Sequence, residues 1–263
     1  MNIKNDVEKA ISSIKTVNPL VHNITNSVVM EISANVLLAL GASPVMSVEG
    51  DEFEDMLSIA SSLVINIGTL DRISIYNMFK AIEIANKNNV PFVLDPVGVG
   101  ATKLRTDTAL RIIREGKPKV VRGNASEIMA LAGASVKTKG VDSTATVNMA
   151  LEAAKNLAIN YNMIVSVSGE TDIITDGKSI YYVSGGSELM TYVTGCGCSA
   201  TAITGAMLAV TTPLIAAVSA MAIMADVGFN ASKIANAPGS FKVALIDELY
   251  RLNISDIVNR ISE

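Results

Sequence analysis

The stretch TGCGCSATAITGA, residues 194–206, carries two cysteines and no charge, and it stands between a strand-like segment and a long apolar one. Glycines at 195 and 197 permit a sharp turn and a close approach of the backbone to a partner, and the Ala, Ile and Thr that follow suit a helix. The spacing predicts a helix over 198–210 with Cys198 at its N-terminus. Unpaired N–H groups and the positive end of the helix dipole collect there, which favours anions and eases ionisation of a thiol. The stretch reads as an anion-binding turn that carries a reactive group.

Upstream of it, short apolar runs alternate with helical periodicity. Strands are expected at 20–24, 44–47, 63–68 (LVINIG), 91–96 (PFVLDP), 119–124 (KVVRGN) and 163–169 (MIVSVSG). Helices are expected at 5–17, where Asn5 and Glu8 have the spacing of a capping box, at 27–40 with a stop at Gly41, and at 51–61, 73–88 and 103–115. Two more, 126–131 and 146–161, flank a polar loop. The strands are continuous apolar runs, the pattern of a parallel sheet covered by helices on both faces. Asp176-Gly177, between strand candidates 172–175 and 179–183, signals a two-residue hairpin and an antiparallel edge. Helices over 213–234 and 240–252 complete the chain. The fold class is therefore α/β: a doubly wound, mostly parallel central sheet with an antiparallel edge hairpin and helices on both faces, in one domain spanning residues 1–263.

With 263 residues, 49% of them hydrophobic, the chain can fill a sizeable core. Its net charge of −4, its 4% aromatic content and the lack of a Lys/Arg run argue against a nucleic-acid surface and favour small-molecule partners. Two cysteines two residues apart, with no signal-peptide pattern over 1–15, do not make a disulfide framework and fit a cytoplasmic location. Residues 189–225 hold no charge, a stretch longer than a membrane span needs. Gly195, Gly197 and Thr211-Thr212-Pro213 interrupt it, and no basic cluster flanks it, so two buried helices are expected and no membrane partner.

Ligands of an open parallel sheet bind beyond the carboxyl ends of its strands. The residues expected there are His22, Asn23 and Asn26, Met46, Gly68 and Thr69, Asp95, Arg122, Asn124 and Glu127, Ser168 to Glu170, and Gly195 to Cys198. Two acids, a guanidinium, a hydroxyl and a glycine-rich helix start on one edge suit a polyphosphate with its magnesium ion. Each also has a plainer reading. Asn124 and Glu127 can cap a helix, Asp95-Pro96 can start a turn, Arg122 can pair with a neighbouring acid, Met46 can fill core, and His22 is expected to be a hydrogen-bonded structural residue. There is no Walker-type phosphate loop, no dinucleotide fingerprint and no protein-kinase loop set, and the Cys-x-Cys spacing does not suit a zinc site.

Five motifs, in this order, resemble the hydroxyethylthiazole kinase family of the ribokinase-like superfamily: NPLVHNITNSVVMEISANVLLALGASPVMS (residues 18–47), LDPVGVGAT (94–102), VRGNASEI (121–128), VSGETDIITDG (167–177) and TGCGCSAT (194–201). The resemblance covers nearly the whole chain. It implies a ribokinase-like fold and ATP-dependent phosphorylation of the hydroxyethyl group of 4-methyl-5-(2-hydroxyethyl)thiazole, in thiamine biosynthesis or salvage. It further implies that Arg122, Ser168 and Asn124 meet ATP and that Asp95 and Glu127 hold Mg2+ directly or through water. Asn26, Met46, Gly68 and Gly195 would meet the thiazole alcohol. Gly195, Gly197 and the following amides would cradle the phosphoryl group, with Cys198 where sugar kinases of the superfamily carry an aspartate base. Members of the family look like homotrimers with active sites between subunits. Kinases of hydroxymethylpyrimidine or pyridoxal are the nearest alternative. A cysteine-nucleophile hydrolase and a non-catalytic nucleotide sensor are alternatives of other classes.

Overall fold

The computed structural model describes residues 2–133 and 143–263. Among these, β1 (Leu20–Ile24), β2 (Ser43–Val45), β3 (Ser62–Asn66), β4 (Phe92–Asp95), β5 (Val120–Asn124), β6 (Ile164–Ser168), β7 (Thr171–Thr175), β8 (Ile180–Ser184) and β9 (Ile261–Ser262) form one sheet. Its order is β2-β1-β3-β4-β5-β6-β7-β8-β9, parallel as far as β6 and antiparallel from there on. The helices are α1 (Ile3–Val17), α2 (Met30–Leu40), α3 (Phe53–Ile59), α4 (Arg72–Lys87), α5 (Lys103–Arg111), α6 (Ala125–Leu131), α7 (Ser143–Tyr161), α8 (Cys196–Leu208), α9 (Pro213–Ile234), α10 (Pro238–Tyr250) and α11 (Ile254–Ile257).

The apolar strands serve two cores because their side chains alternate between faces. Val64, Val93, Val120 and Ile164 join the core built with α1, α2, α8, α9 and α10. Leu63, Ile65, Phe92, Leu94, Val121 and Val165 join the one built with α3 to α7. This is the doubly wound, helix-covered sheet that the sequence predicts. From β1 the order runs to β2 on one side and to β3 on the other, so the switch point, where such folds bind ligands, lies at the ends of β1 and β3.

Several local expectations are corrected. The cap of α1 is Asn2, whose side chain accepts from the Asn5 amide at 3.4 Å; Asn5 lies inside the helix. Helix α2 begins at Met30 rather than at 27, because the Asn26 carbonyl and side chain close a turn onto the Val29 and Val28 amides. The edge hairpin turns over four residues, not two. The Asp176 carboxylate accepts from the Lys178 and Ser179 amides, and Gly177 takes a φ of 92°. Strand β9, two residues long, extends the antiparallel edge; it is too short to leave a sequence pattern. Of the polar loop expected over 132–145, residues 134–142 lie outside the described residues, and α7 begins at Ser143, three residues earlier than expected. Helix α9 is apolar and long enough to cross a membrane, yet 83% of its most apolar window is buried against the rest of the chain, as the core-helix reading expects.

Candidate active site

The alternation that sorts the cores also builds the site. Two residues beyond Val64 and Val93 come Asn66 and Asp95, two beyond Val120 comes Arg122, and four beyond Ile164 comes Ser168, so all four fall on the α8 face. Asn66 and Asp95 are register partners. Helix α8 starts against this row. Its cap, Gly195, has a φ of +97°, and a Cβ there would stand 2.7 Å from Ile32 Cγ2, so only glycine fits. The cap contributes no side-chain hydrogen bond, and among the described residues the Gly197 and Cys198 amides meet no backbone acceptor. The helix begins at Cys196, two residues earlier than predicted, which puts Cys198 third in its first turn.

Arg122 lies beside that turn: a Cβ on Gly197 would be 2.8 Å from its Nη1. Arg122 is 9% exposed, its Nε is buried without a hydrogen-bond partner, and no described carboxylate lies within ion-pair distance of its guanidinium. The simple pairing reading of Arg122 therefore does not describe it. A cavity of about 840 Å³ opens here, with Arg122, Ser168, Asp172 and Gly197 in its wall together with Met221 and Met224 of α9. Burial raises Asp172 to about 6 against the opposing pull of the Gly169 amide and Arg122.

On the other side of α8 a hydrogen-bonded network joins the strand ends. Asn66 Nδ2 donates to Asp95 Oδ2 at 2.9 Å and to Cys198 Sγ at 3.2 Å, while its Oδ1 accepts from Asn26 Nδ2 at 2.8 Å and from the Gly68 amide at 2.9 Å. Asn26 Nδ2 also approaches Cys198 Sγ at 3.6 Å, and Thr201 Oγ1 donates to Asp95 Oδ2 at 2.8 Å. Asp95 is raised to about 6, chiefly by burial and further by Glu127, with Arg122, Thr201 and Asn66 opposing. The expectation of an easily ionised thiol is overturned. Burial and the charge of Asp95 push Cys198 up to about 11, because stripping water from a thiolate beside a carboxylate costs more than the Asn66 and Asn26 amide donors and Arg122 return.

The remaining predicted residues are placed as follows. Gly68 packs so tightly that a Cβ would lie 2.6 Å from Asn26 Nδ2. Glu127 and Asn124 form a complete capping box on α6, and Glu127 Oε1 also accepts from the Gly98 amide at 2.8 Å. The Asn124 side chain is engaged by that cap and does not line the cavity. Met46 is half-buried just past β2 and packs on the α8-side core. His22 faces the other core, bonded through Nε2 to the Ser47 carbonyl at 3.0 Å and packed at a 60° tilt against the Phe53 ring; burial lowers its pKa. It is structural, as expected, and makes no hydrogen bond with Cys198.

Four contributors escaped the sequence reading: Asn66, Thr201, Asp172 and Arg105, whose guanidinium ties the Ile67, Gly68 and Val97 carbonyls together. Only Asn66 left a usable signal, a polar residue ending LVIN in step with Asp95 ending FVLD.

A doubly wound sheet with an anion-receptive helix start, a buried unpaired arginine and buried acids at its strand ends defines a ribokinase-like small-molecule kinase. Residues 11–255 match the hydroxyethylthiazole kinase family. A hydroxyethylthiazole kinase of Brachyspira hyodysenteriae is 67% identical over 261 residues, 99% of each chain. The structure of a hydroxyethylthiazole kinase from Pyrococcus horikoshii superposes with a TM-score of 0.90 at 43% identity, covering 97% of this chain and 98% of that one. A pyridoxal kinase from Staphylococcus aureus, 20% identical with a TM-score of 0.61 over 81% of this chain and 88% of its own, shares the fold. The chain belongs to the hydroxyethylthiazole kinase family, whose named members are phosphotransferases.

Proposed function

We propose that this protein transfers the terminal phosphoryl group of ATP to the hydroxyethyl oxygen of 4-methyl-5-(2-hydroxyethyl)thiazole, a step of thiamine biosynthesis or salvage. Beyond family membership, the observation that carries this reading is the buried Arg122 guanidinium without a carboxylate, in the wall of a large cavity beside the open amides of Gly197 and Cys198. A buried cation of this kind is costly unless an anion completes it, and a triphosphate does so.

In the reaction the substrate oxygen forms a bond to the γ-phosphorus, the bond to the β-phosphate oxygen breaks, and ADP leaves. Arg122 and Ser168 hold the triphosphate. The amides at the start of α8, freed by Gly195 and Gly197, receive the charge on the phosphoryl oxygens. The alcohol lies on the Asn26, Met46 and Gly68 side. Its proton can pass to Cys198 only in the thiolate form and otherwise leaves to a phosphoryl oxygen or to water, so Cys198 is a helpful but replaceable acceptor, since a loose transition state asks little of a base.

Asp95 and Glu127 would hold Mg2+, which supplies charge neutralisation across the phosphates. The residues fit. Asp95 Oδ1 accepts no hydrogen bond, Glu127 accepts one backbone N–H on each oxygen and keeps further lone pairs, and a carboxyl raised to about 6 by burial gains from a cation. Among the described residues no cluster of three metal-ligating side chains forms, which matches an ion that takes one or two carboxylates and completes its shell with phosphate oxygens and water.

A homotrimer with the thiazole site at the subunit boundary is what the family resemblance implies, and Val28, Val48, Ile73 and Tyr76, exposed apolar side chains on the segments following β1, β2 and β3, are available to such a boundary. Two free thiols fit the reducing cytoplasm.

The test is coupled detection of ADP release from magnesium ATP, with and without the thiazole alcohol, and with hydroxymethylpyrimidine and pyridoxal as controls. Thiazole-dependent release with silent controls supports the assignment. Release driven by a control alcohol would overturn the substrate, and no release with any alcohol would overturn the activity.

A further inference from the structure

Asn66 has no part in the family resemblance as read above, yet it is the node of the site. Asn66 is 1% exposed, and all four hydrogen-bonding capacities of its carboxamide are met inside the site. The two N–H bonds go to Asp95 Oδ2 and Cys198 Sγ. The oxygen takes the Asn26 side chain and the Gly68 amide. A buried asparagine with a purely architectural role bonds mostly to backbone, whereas three of these four partners are side chains from separate segments. The donors hold the Asp95 carboxylate and the Cys198 sulfur, and the acceptor holds the Asn26 side chain and the Gly68 amide.

We propose that Asn66 is the positioning residue that sets the Cys198 sulfur and the Asp95 carboxylate relative to the alcohol-binding Asn26–Gly68 edge. Losing either donor would let the sulfur and the carboxylate move apart, and losing the acceptor would release the Asn26 side chain from Gly68. A near-attack arrangement tolerates little of either, since a displacement of about 1 Å can reduce turnover about a hundredfold. Asn66 does not line the cavity holding Arg122, and Asp95 keeps its Thr201 hydrogen bond without it, so turnover is expected to fall far more than nucleotide affinity.

The inference rests on the kinase reading, and its test separates the two. Thiazole-dependent ADP release is measured for the wild type, Asn66→Ala, Cys198→Ala and the double variant, with thermal melts to confirm folding. If the wild type does not turn over, the kinase reading fails first. Given turnover, Asn66→Ala is expected to lower kcat about a hundredfold while leaving KM for ATP within about threefold. Because part of that loss acts through the sulfur, Cys198→Ala should lower kcat by a smaller factor in the Asn66→Ala background than in the wild type. Asn66→Asp, of the same size and with the acceptor retained, should show the same split of kcat from KM, and it carries the test if the alanine variant does not fold. Near-wild-type kcat in either folded variant, a rise in KM for ATP matching the fall in kcat, or fully multiplicative effects with Cys198→Ala would overturn the proposal. So would failure of both variants to fold, since Asn66 would then be architectural.

Discussion

Replacing Cys198 tests the chemistry of the site most directly. With the thiol pushed to about 11, only about one molecule in ten thousand carries a thiolate at pH 7. A mechanism that had to ionise the sulfur first would forfeit about 5 kcal/mol at that pH, and its rate would climb about tenfold per pH unit. The structure argues against such dependence. Two amides from Asn66 and Asn26 already point at the sulfur, and the phosphoryl charge is met by Arg122 and the α8 amides. Cys198→Ala is therefore expected to retain measurable turnover, within about tenfold of wild type. Cys198→Asp should keep or raise it, because the new carboxyl and Asp95 can share one proton and still leave a base at pH 7. The assay is kcat from coupled ADP release between pH 6 and about 9 for all three proteins, with thermal melts alongside. Removing the sulfur leaves an Asn66 N–H without an acceptor and should lower stability by about 1–3 kcal/mol. Complete loss of turnover in a folded Cys198→Asp protein would refute the reasoning, as would a tenfold-per-unit pH slope in the wild type that vanishes in Cys198→Ala.

Three further outcomes are expected. Arg122→Met should raise KM for ATP by at least about tenfold, because charge-assisted bonds to phosphate are lost, while the melting temperature holds or rises as an unpartnered buried charge is removed. A lower melting temperature with an unchanged KM would contradict the anion-binding role. Gly195→Ala should destabilise by at least about 2 kcal/mol, combining a left-handed backbone with a Cβ 2.7 Å from Ile32 Cγ2, and should reduce turnover; a stability equal to wild type would show that the turn can relax. Finally, Asp95 and Asp172, both raised to about 6, bind protons more tightly folded than unfolded. The ligand-free protein should therefore hold their contribution below about pH 4 and lose it as pH rises through about 6. Melts of the wild type and Asp95→Asn across that window should show a shallower decline in the variant; parallel curves would count against a raised Asp95.

Much of the architecture is legible in the sequence. Continuous apolar strands such as LVIN and FVLD could only belong to a sheet with a core on each face, and the glycine-rich run ending at Cys198 marked a helix start. Arg122, Ser168 and Asp95 were named from their places at strand ends. The corrections arose where the deciding contact is local and conformational or distant in sequence. Asn2 displaces Asn5 as a cap because one more turn of helix forms, and β9 exists only because β8 offers it an edge.

The sequence by itself determined the alternation of strands and helices, the two-faced sheet, the small-residue turn and, through five ordered motifs, the family. Tertiary structure alone decided how the site residues behave. It buried the Cys198 thiol beside Asp95 and so made it a poor acid where a helix end suggested a good one. It left Arg122 without a carboxylate, and it made Asn66 the meeting point of four segments. The physical reason is that a residue's spacing fixes which face it occupies, whereas its protonation and partners depend on how much water the assembled neighbours exclude and on which charges burial brings together.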